Sequence, residues 1–240
     1  MAQMTRDAGM QFNSELTNPT ENKQYYIDQT TQALNLGVYG ADLSYARIFD
    51  QVQEAVNFLA VIRELTESLQ IPQDKETFAL DKLEKHINNR DTLLHIITEI
   101  YSDMDIYLKE NNRSIVAAMI ITGGWIEGNY LALQSMNKEK PNEKVLRRVA
   151  EQKLSLASLI ELIKPHVRKN HKSGDILADL EELYAIYEDV TIETKTSGIE
   201  TDSSKGKTTI KGNTRVEIDQ ETLQSIQSFI NDLRKDITNP

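Results

Sequence analysis

Four carboxylates stand where acid–base or metal chemistry would need them: Asp42, Glu99, Asp103 and Glu127. Glu127 lies in the run TGGWIEGNY, at the end of the most apolar stretch of the chain. A carboxylate buried there must find a partner, or its pKa rises and it keeps its proton. A carboxyl with a raised pKa suits general acid catalysis. The plainer reading is an ion pair or a capping contact with a neighbouring loop. Glu99 and Asp103 are four residues apart and share one helix face. Carboxylate chemistry, with or without a metal, requires at least two of the four to converge in a cleft. Asp103-x-Asp105 starts like a calcium loop, then runs into Ile106-Tyr107-Leu108 with no third ligand and no glycine at position six.

Two glycine-bearing strings are the other candidates. Gly37-Val38-Tyr39-Gly40-Ala41-Asp42-Leu43-Ser44-Tyr45 reads as a corner between two helices. Gly37 can close the first helix in the left-handed conformation, and Asp42 can cap the second. The corner either displays Tyr39, Asp42 and Tyr45 toward a ligand or simply joins two helices. Gly123-Gly124-Trp125-Ile126-Glu127-Gly128-Asn129-Tyr130 places three glycines in an apparent helix, each costing about 1 kcal/mol against alanine. Close approach of another helix, or of a ligand, to bare backbone would offset that. No Lys-Ser/Thr follows the glycines, so the string is not a phosphate loop. The candidate binding residues are Tyr39, Asp42, Tyr45, Gly123, Gly124, Trp125, Glu127 and Tyr130. No catalytic residue, metal ligand or cofactor is assigned.

The histidines, His86, His95, His166 and His171, form no HExxH and no i, i+4 pair. None completes the Glu-x-x-His of bundle metal sites. His166 and His171 fall in the basic run Lys164–Lys172. It follows a helix C-terminus, where cations suit the dipole; an anion or lipid-headgroup site is the alternative. No GxSxG, SxxK or dinucleotide fingerprint is present.

The elements that would carry these residues are helical. Ile48, Val52, Ala55, Leu59, Ile62 and Leu69 make a 4-3-4-3 stripe, which predicts a helix over 41–70 that Pro72 ends. Phe78, Leu80, Leu83 and Ile87 suggest a short helix, and Leu93, Ile97, Ile100, Met104 and Tyr107 a long one that Asn111-Asn112 breaks. Ser114 is the expected cap of the next, over 115–136. That helix is apolar almost all round and belongs at the centre. A loop over 137–142 follows. Val145 to Ile163 marks a helix stopped by Pro165, Leu177 to Tyr187 another, and Leu223 to Ile237 the last, with Asp219 as N-cap. Over 190–218, apolar and polar residues alternate around the polar string TSGIETDSSKGK. This predicts an exposed β-hairpin with a long mobile tip, or one irregular excursion. The expected fold is all-α: one domain of about seven helices, a bundle or helical-hairpin array, with a β excursion before the C-terminal helix. Residues 1–19 form a loosely ordered arm, 20–189 the helical domain, 190–218 the excursion, and 219–240 a helix docking back onto the domain.

Composition narrows the function classes. The chain has 240 residues, no cysteine and a net charge of −10. Thiol nucleophiles, cysteine zinc sites and disulfides are excluded. A dedicated nucleic-acid binder needs a basic face, and this chain is acidic, with −8 of its charge in residues 1–120. The longest apolar run, Ile115 to Ile121, is seven residues, against about 20 for a membrane-spanning helix. MAQMTRDAGM holds no apolar run of the kind an export signal carries.

The strings LNLGVYGADLSYA and TGGWIEGNYLALQ resemble those of a family of mostly helical, lipoprotein-type envelope proteins of the Bacteroidota. The resemblance runs from about Asn18 onward and includes the β excursion before a C-terminal helix. It implies a periplasmic or outer-membrane location through a lipid anchor on an N-terminal lipobox cysteine. This chain has neither that cysteine nor the signal segment. The family has no assigned catalytic residues to carry over. The expected function is therefore non-enzymatic: a helical domain of the cell envelope binding a small molecule or a partner protein. A carboxylate-based or metal-assisted enzyme, or a scaffold without a pocket, are the alternatives.

Overall fold

The computed structural model describes residues 6, 11–72, 80–136, 143–167, 171–202 and 207–239. The loop over 137–142, the hairpin tip at 203–206, Phe78 and most of the first ten residues lie outside them. The described residues form an all-α bundle of eight α-helices, where about seven were expected: α1 Gln29–Ile48, α2 Val52–Ser68, α3 Leu80–Lys85, α4 Arg90–Glu110, α5 Ser114–Gln134, α6 Glu143–Ile163, α7 Lys172–Tyr187 and α8 Gln220–Thr238. Strands β1 Thr191–Asp202 and β2 Lys207–Glu217 form an antiparallel hairpin ahead of α8.

α5 is the central helix. It packs against α1, and also against α8, α6 and α4. Its apolar residues point in all directions because neighbours surround it. Among the described residues it is the one helix long and apolar enough to cross a membrane. It is also mostly buried inside the protein, as the core helix of a bundle must be. α8 is amphipathic, burying Leu223, Ile226, Ile230, Leu233 and Ile237. Asp219 caps it by accepting from the Thr222 amide at 2.8 Å.

Three sequence expectations are corrected. Gly37–Tyr45 is not a corner: α1 runs through it unbroken, and the predicted 41–70 helix is split at 49–51 instead. The break comes at Asp50, whose φ of 60° lets the Gln51 amide reach back to the Ala46 carbonyl at 2.8 Å. A left-handed residue that turns the chain back onto the last carbonyls ends a helix cleanly. Gln70 and Asn112 close α2 and α4 with φ of 52° and 59°. Second, Ser114 opens α5 rather than capping it. The N-cap is Arg113, whose side chain donates to the Leu69 carbonyl and gives the helix no capping bond. Third, the polar string after Thr196 is mostly strand, since the ladder continues to Asp202 opposite Lys207 with one irregularity between Thr196 and Gly198. Ladder bonds join main-chain groups and tolerate polar side chains.

Residues 13–26 close over α1 and α8 in two short 3-10 turns, Ser14–Leu16 and Thr20–Tyr25. Asn18 is fully buried, and Thr17 and Tyr26 nearly so.

Candidate functional site

The two glycine strings meet at the crossing of α1 and α5. A Cβ on Gly37 would lie 2.0 Å from the Ile120 carbonyl oxygen, and one on Gly123 would lie 1.8 Å from that of Leu34. The helices therefore touch backbone to backbone, and only glycine fits at either point. Gly40 makes room for Tyr101 of α4, whose hydroxyl donates to the Leu36 carbonyl at 3.2 Å.

The side chains flanking this crossing divide between two faces. On the outer face, an open groove of about 370 Å³ lies between α1, α4 and α5. Gly37, Gly40 and Gly124 contribute bare backbone, and Ile97, Tyr101, Ile120 and Ile121 are among the apolar side chains that line it. Ile121 is 41% exposed. No charged side chain lines the groove. Trp125 is half-buried and does not line the groove; its indole N–H donates to Gln152 Oε1 of α6 at 3.1 Å.

On the inner face stands a buried ionic cluster. Asp42 of α1 and Glu127 of α5 are both without solvent exposure. Arg234 of α8 holds Glu127 with two bonds, Nε to Oε2 at 3.0 Å and Nη2 to Oε1 at 3.3 Å. Nη2 also donates to the Leu16 carbonyl at 3.3 Å, and the guanidinium lies 4.6 Å from the centre of the Tyr130 ring. Asp42 Oδ2 accepts from the Asn18 amide at 3.0 Å.

Two carboxyls and one guanidinium shut away from water leave an excess negative charge unless one acid is protonated. Asp42 takes that role. Burial pushes its pKa well above the ordinary aspartate value, and the nearby Glu127 charge pushes it further. Burial raises Glu127 too, but Arg234 opposes this. If both acids are written as anions, Asp42 Oδ1 has no hydrogen-bond partner. With Asp42 protonated, that side becomes the donor to Glu127, which agrees with the carboxyl–carboxyl hydrogen bond felt by both groups. We take the protonated arrangement, because a naked buried carboxylate oxygen costs far more than a shared proton. Arg234 is held charged: burial acts against it, and Glu127 outweighs burial.

Around the cluster runs a polar network. Asn18 Nδ2 donates to the Tyr26 hydroxyl at 2.9 Å and to Asn35 Oδ1 at 3.3 Å. Tyr26 donates to the Thr238 carbonyl, Asn35 to the Ile237 carbonyl, and Tyr39 to the Pro19 carbonyl. Tyr45 accepts from the Asn13 amide at 3.2 Å and packs against Phe12 and Phe49. Tyr39, Asp42 and Tyr45 thus face the interior and tie residues 13–19 to α1.

Of the eight candidate residues, Asp42, Glu127 and Tyr130 share the buried cluster, Gly124 lines the groove, and Gly123 makes the crossing. Glu99 and Asp103 stand exposed on α4, apart from Asp42 and Glu127. Asn18, Tyr26, Asn35 and Arg234 were not singled out from the sequence. Arg234 alone carried a signal, as the cation directly after Leu233 in the apolar stripe of α8. Among the described residues no three His, Asp or Glu side chains are placed to hold a metal ion. Comparison with protein-family models, with curated proteins and with solved structures gives no match.

Proposed function

We propose that this chain is a non-enzymatic binding domain whose recognition surface is the groove over the α1–α5 crossing, and that its occupant is an apolar side chain of a partner protein. The observation that carries the reading is the lining: three glycine backbones and apolar side chains with no charge, open to solvent. Small-molecule sites enclose most of their ligand. A groove of about 370 Å³ this open leaves a free small molecule largely in water. A partner's side chain brings its own cover, in the way interface anchors do. The carboxylate-enzyme reading is disfavoured because Asp42 and Glu127 have no exposure through which a substrate could reach them. A cell-envelope location rests on the resemblance of the two strings.

Site-specific photo-crosslinking tests the reading. A photoreactive residue replaces Thr98, which is exposed at the groove edge, and a control label replaces Leu154, 63% exposed on α6. A discrete protein adduct is expected from position 98 alone, and Ile121→Asp at the rim should abolish it while leaving the fold intact. Equal adducts from both positions, or an adduct indifferent to Ile121→Asp, would overturn it.

A further inference from the structure

We propose that the cavity where the N-termini of α1, α5 and α7 meet is a binding site for a compact oxyanion of the phosphate type. The cavity measures about 510 Å³ and lies apart from both the groove and the buried cluster. Thr30 comes from the first turn of α1, Ser114 and Ile115 open α5, and Ser173 lies in the first turn of α7. His166 and His171 complete the polar wall. Helix N-termini present free amides and the positive end of the dipole, so three of them on one cavity favour an anion.

The three ends are not equivalent. α1 is capped by Asp28, which accepts from the Thr31 amide at 2.9 Å, and α7 by His171, whose Nδ1 accepts from the Ser173 amide at 3.3 Å. α5 has no side-chain cap. The Val116 and Ala117 amides turn back to the Arg113 carbonyl. Those of Ser114 and Ile115 have no partner among the described residues. An uncapped 21-residue central helix, opening onto a polar cavity, leaves two donors for a ligand.

An independent observation comes from Thr30. It is 7% exposed and lines the cavity, yet its hydroxyl has no hydrogen-bond partner among the described residues. The hydroxyl keeps some contact with solvent, and the cavity is the open space that Thr30 lines. A hydroxyl with no protein partner that opens onto the cavity is free to donate to an oxygen held there. His171 adds a further donor, since accepting at Nδ1 puts its ring proton on Nε2.

Asp28 also lines the cavity and opposes an anion. Its carboxylate is committed to the Thr31 amide and hydroxyl, and Lys172 stands beside it on the same hydroxyl at 2.7 Å. The ligand therefore meets the α5 side, with Asp28 limiting affinity.

The test is an amide-resolved NMR titration of the full chain with inorganic phosphate, at ionic strength held constant with chloride. Saturable shifts of the Ser114 and Ile115 amides are expected. Thr30→Val, which keeps the side-chain shape, should weaken the response at least tenfold. Asp28→Asn, which keeps the cap, should tighten it several-fold. A parallel titration with vesicles containing phosphatidic acid separates a lipid headgroup from free phosphate as the source. No saturable shift with either probe overturns the proposal. So do shifts confined to residues 164–172 that Thr30→Val leaves unchanged, which would mean an adventitious ion only.

Discussion

Gly123 faces the Leu34 carbonyl so closely that a Cβ would lie 1.8 Å from the oxygen, while Gly128, five residues on in the same helix, has nothing within 4 Å of that position. The glycines of α5 therefore do different things, and alanine substitution separates them. Gly123→Ala, and Gly37→Ala on the facing helix, meet backbone that cannot swing aside. Each is expected to destabilise by about 3 kcal/mol or to prevent folding, at the upper end of overpacking effects. Gly124→Ala meets the Gly37 carbonyl at 3.4 Å, an ordinary contact, and should be close to neutral. Gly128→Ala should stabilise by about 1 kcal/mol, the helix-propensity gain. Urea denaturation of the four variants checks the order, and a Gly123→Ala protein as stable as Gly128→Ala would remove the backbone crossing.

The shared proton of Asp42 makes stability depend on pH in a stated direction. Its carboxyl is raised in the fold by burial first and by Glu127 second. The folded protein thus keeps a proton that the unfolded chain releases above the ordinary aspartate value of 3.8. This contribution is fully present below that value and is lost as pH rises through the folded pKa. Asp28 and Asp219 slope the other way: burial raises Asp28 but Thr31 bonds outweigh it, and Thr222 bonds lower Asp219. The clean quantity is therefore the difference between wild type and Asp42→Asn. Asparagine can accept from Asn18 and donate toward Glu127 without titrating. Its stability relative to wild type should climb as pH rises above the ordinary aspartate value of 3.8 and level off once Asp42 is ionised in the fold, by at most about 1.4 kcal/mol per pH unit. Parallel pH profiles of the two proteins in urea melts would place an ordinary carboxylate at position 42.

The helical class was legible because amphipathic stripes are local: Leu223 to Ile237 announces α8, and Asp219 its cap. The central position of α5 followed from its lack of a polar face. What governs the rest is distant in sequence. A glycine such as Gly37 can end a helix or admit a neighbouring helix, and the choice belongs to Ile120 and Gly124 on α5. The true break, at Asp50, uses a residue type that tolerates the left-handed conformation, but the apolar stripe that continues from Ile48 through Val52 hid it. Glu127 was recognisable as a carboxylate needing a partner. Its partner Arg234 lies 107 residues away, where no local pattern reaches. Asn18 and Asn35 were invisible for the same reason: a buried amide is explained by what surrounds it, here Tyr26, Asp42 and the Ile237 carbonyl.

Glu127 and Arg234 have unequal consequences when removed. Glu127→Gln leaves a guanidinium with only 12% side-chain exposure and no buried anion. It also weakens the acceptor for the Asp42 proton. A loss of about 3–5 kcal/mol is expected, as when one partner of a buried pair is deleted. Arg234→Met lets Glu127 escape its charge by protonation, so its loss should be smaller. The double variant should be more stable than the summed single losses predict, because neither charge is then stranded. Additive losses in urea melts would show that the two side chains do not act as a pair.

Tyr101 and Gly40 offer a different kind of dependence, since here the close contact is with a side chain. A Cβ on Gly40 would lie 1.6 Å from the Tyr101 hydroxyl. That hydroxyl is bonded to the Leu36 carbonyl, and burial raises its pKa. Alanine at position 40 must push the ring off Leu36 and into the groove it borders. Gly40→Ala alone should destabilise by about 1–3 kcal/mol, the range for overpacking a well-filled site. Tyr101→Leu alone removes ring contacts and the hydroxyl and should lose a similar amount. Leucine does not extend to the hydroxyl position, so the combined variant relieves the clash and should lose less than the sum. The same pair reads the groove: with Gly40→Ala alone, the displaced ring should suppress photo-crosslinking from position 98, and Tyr101→Leu should restore it. Strict additivity in stability, or crosslinking unaffected by Gly40→Ala, would mean that Tyr101 does not set the shape of that surface.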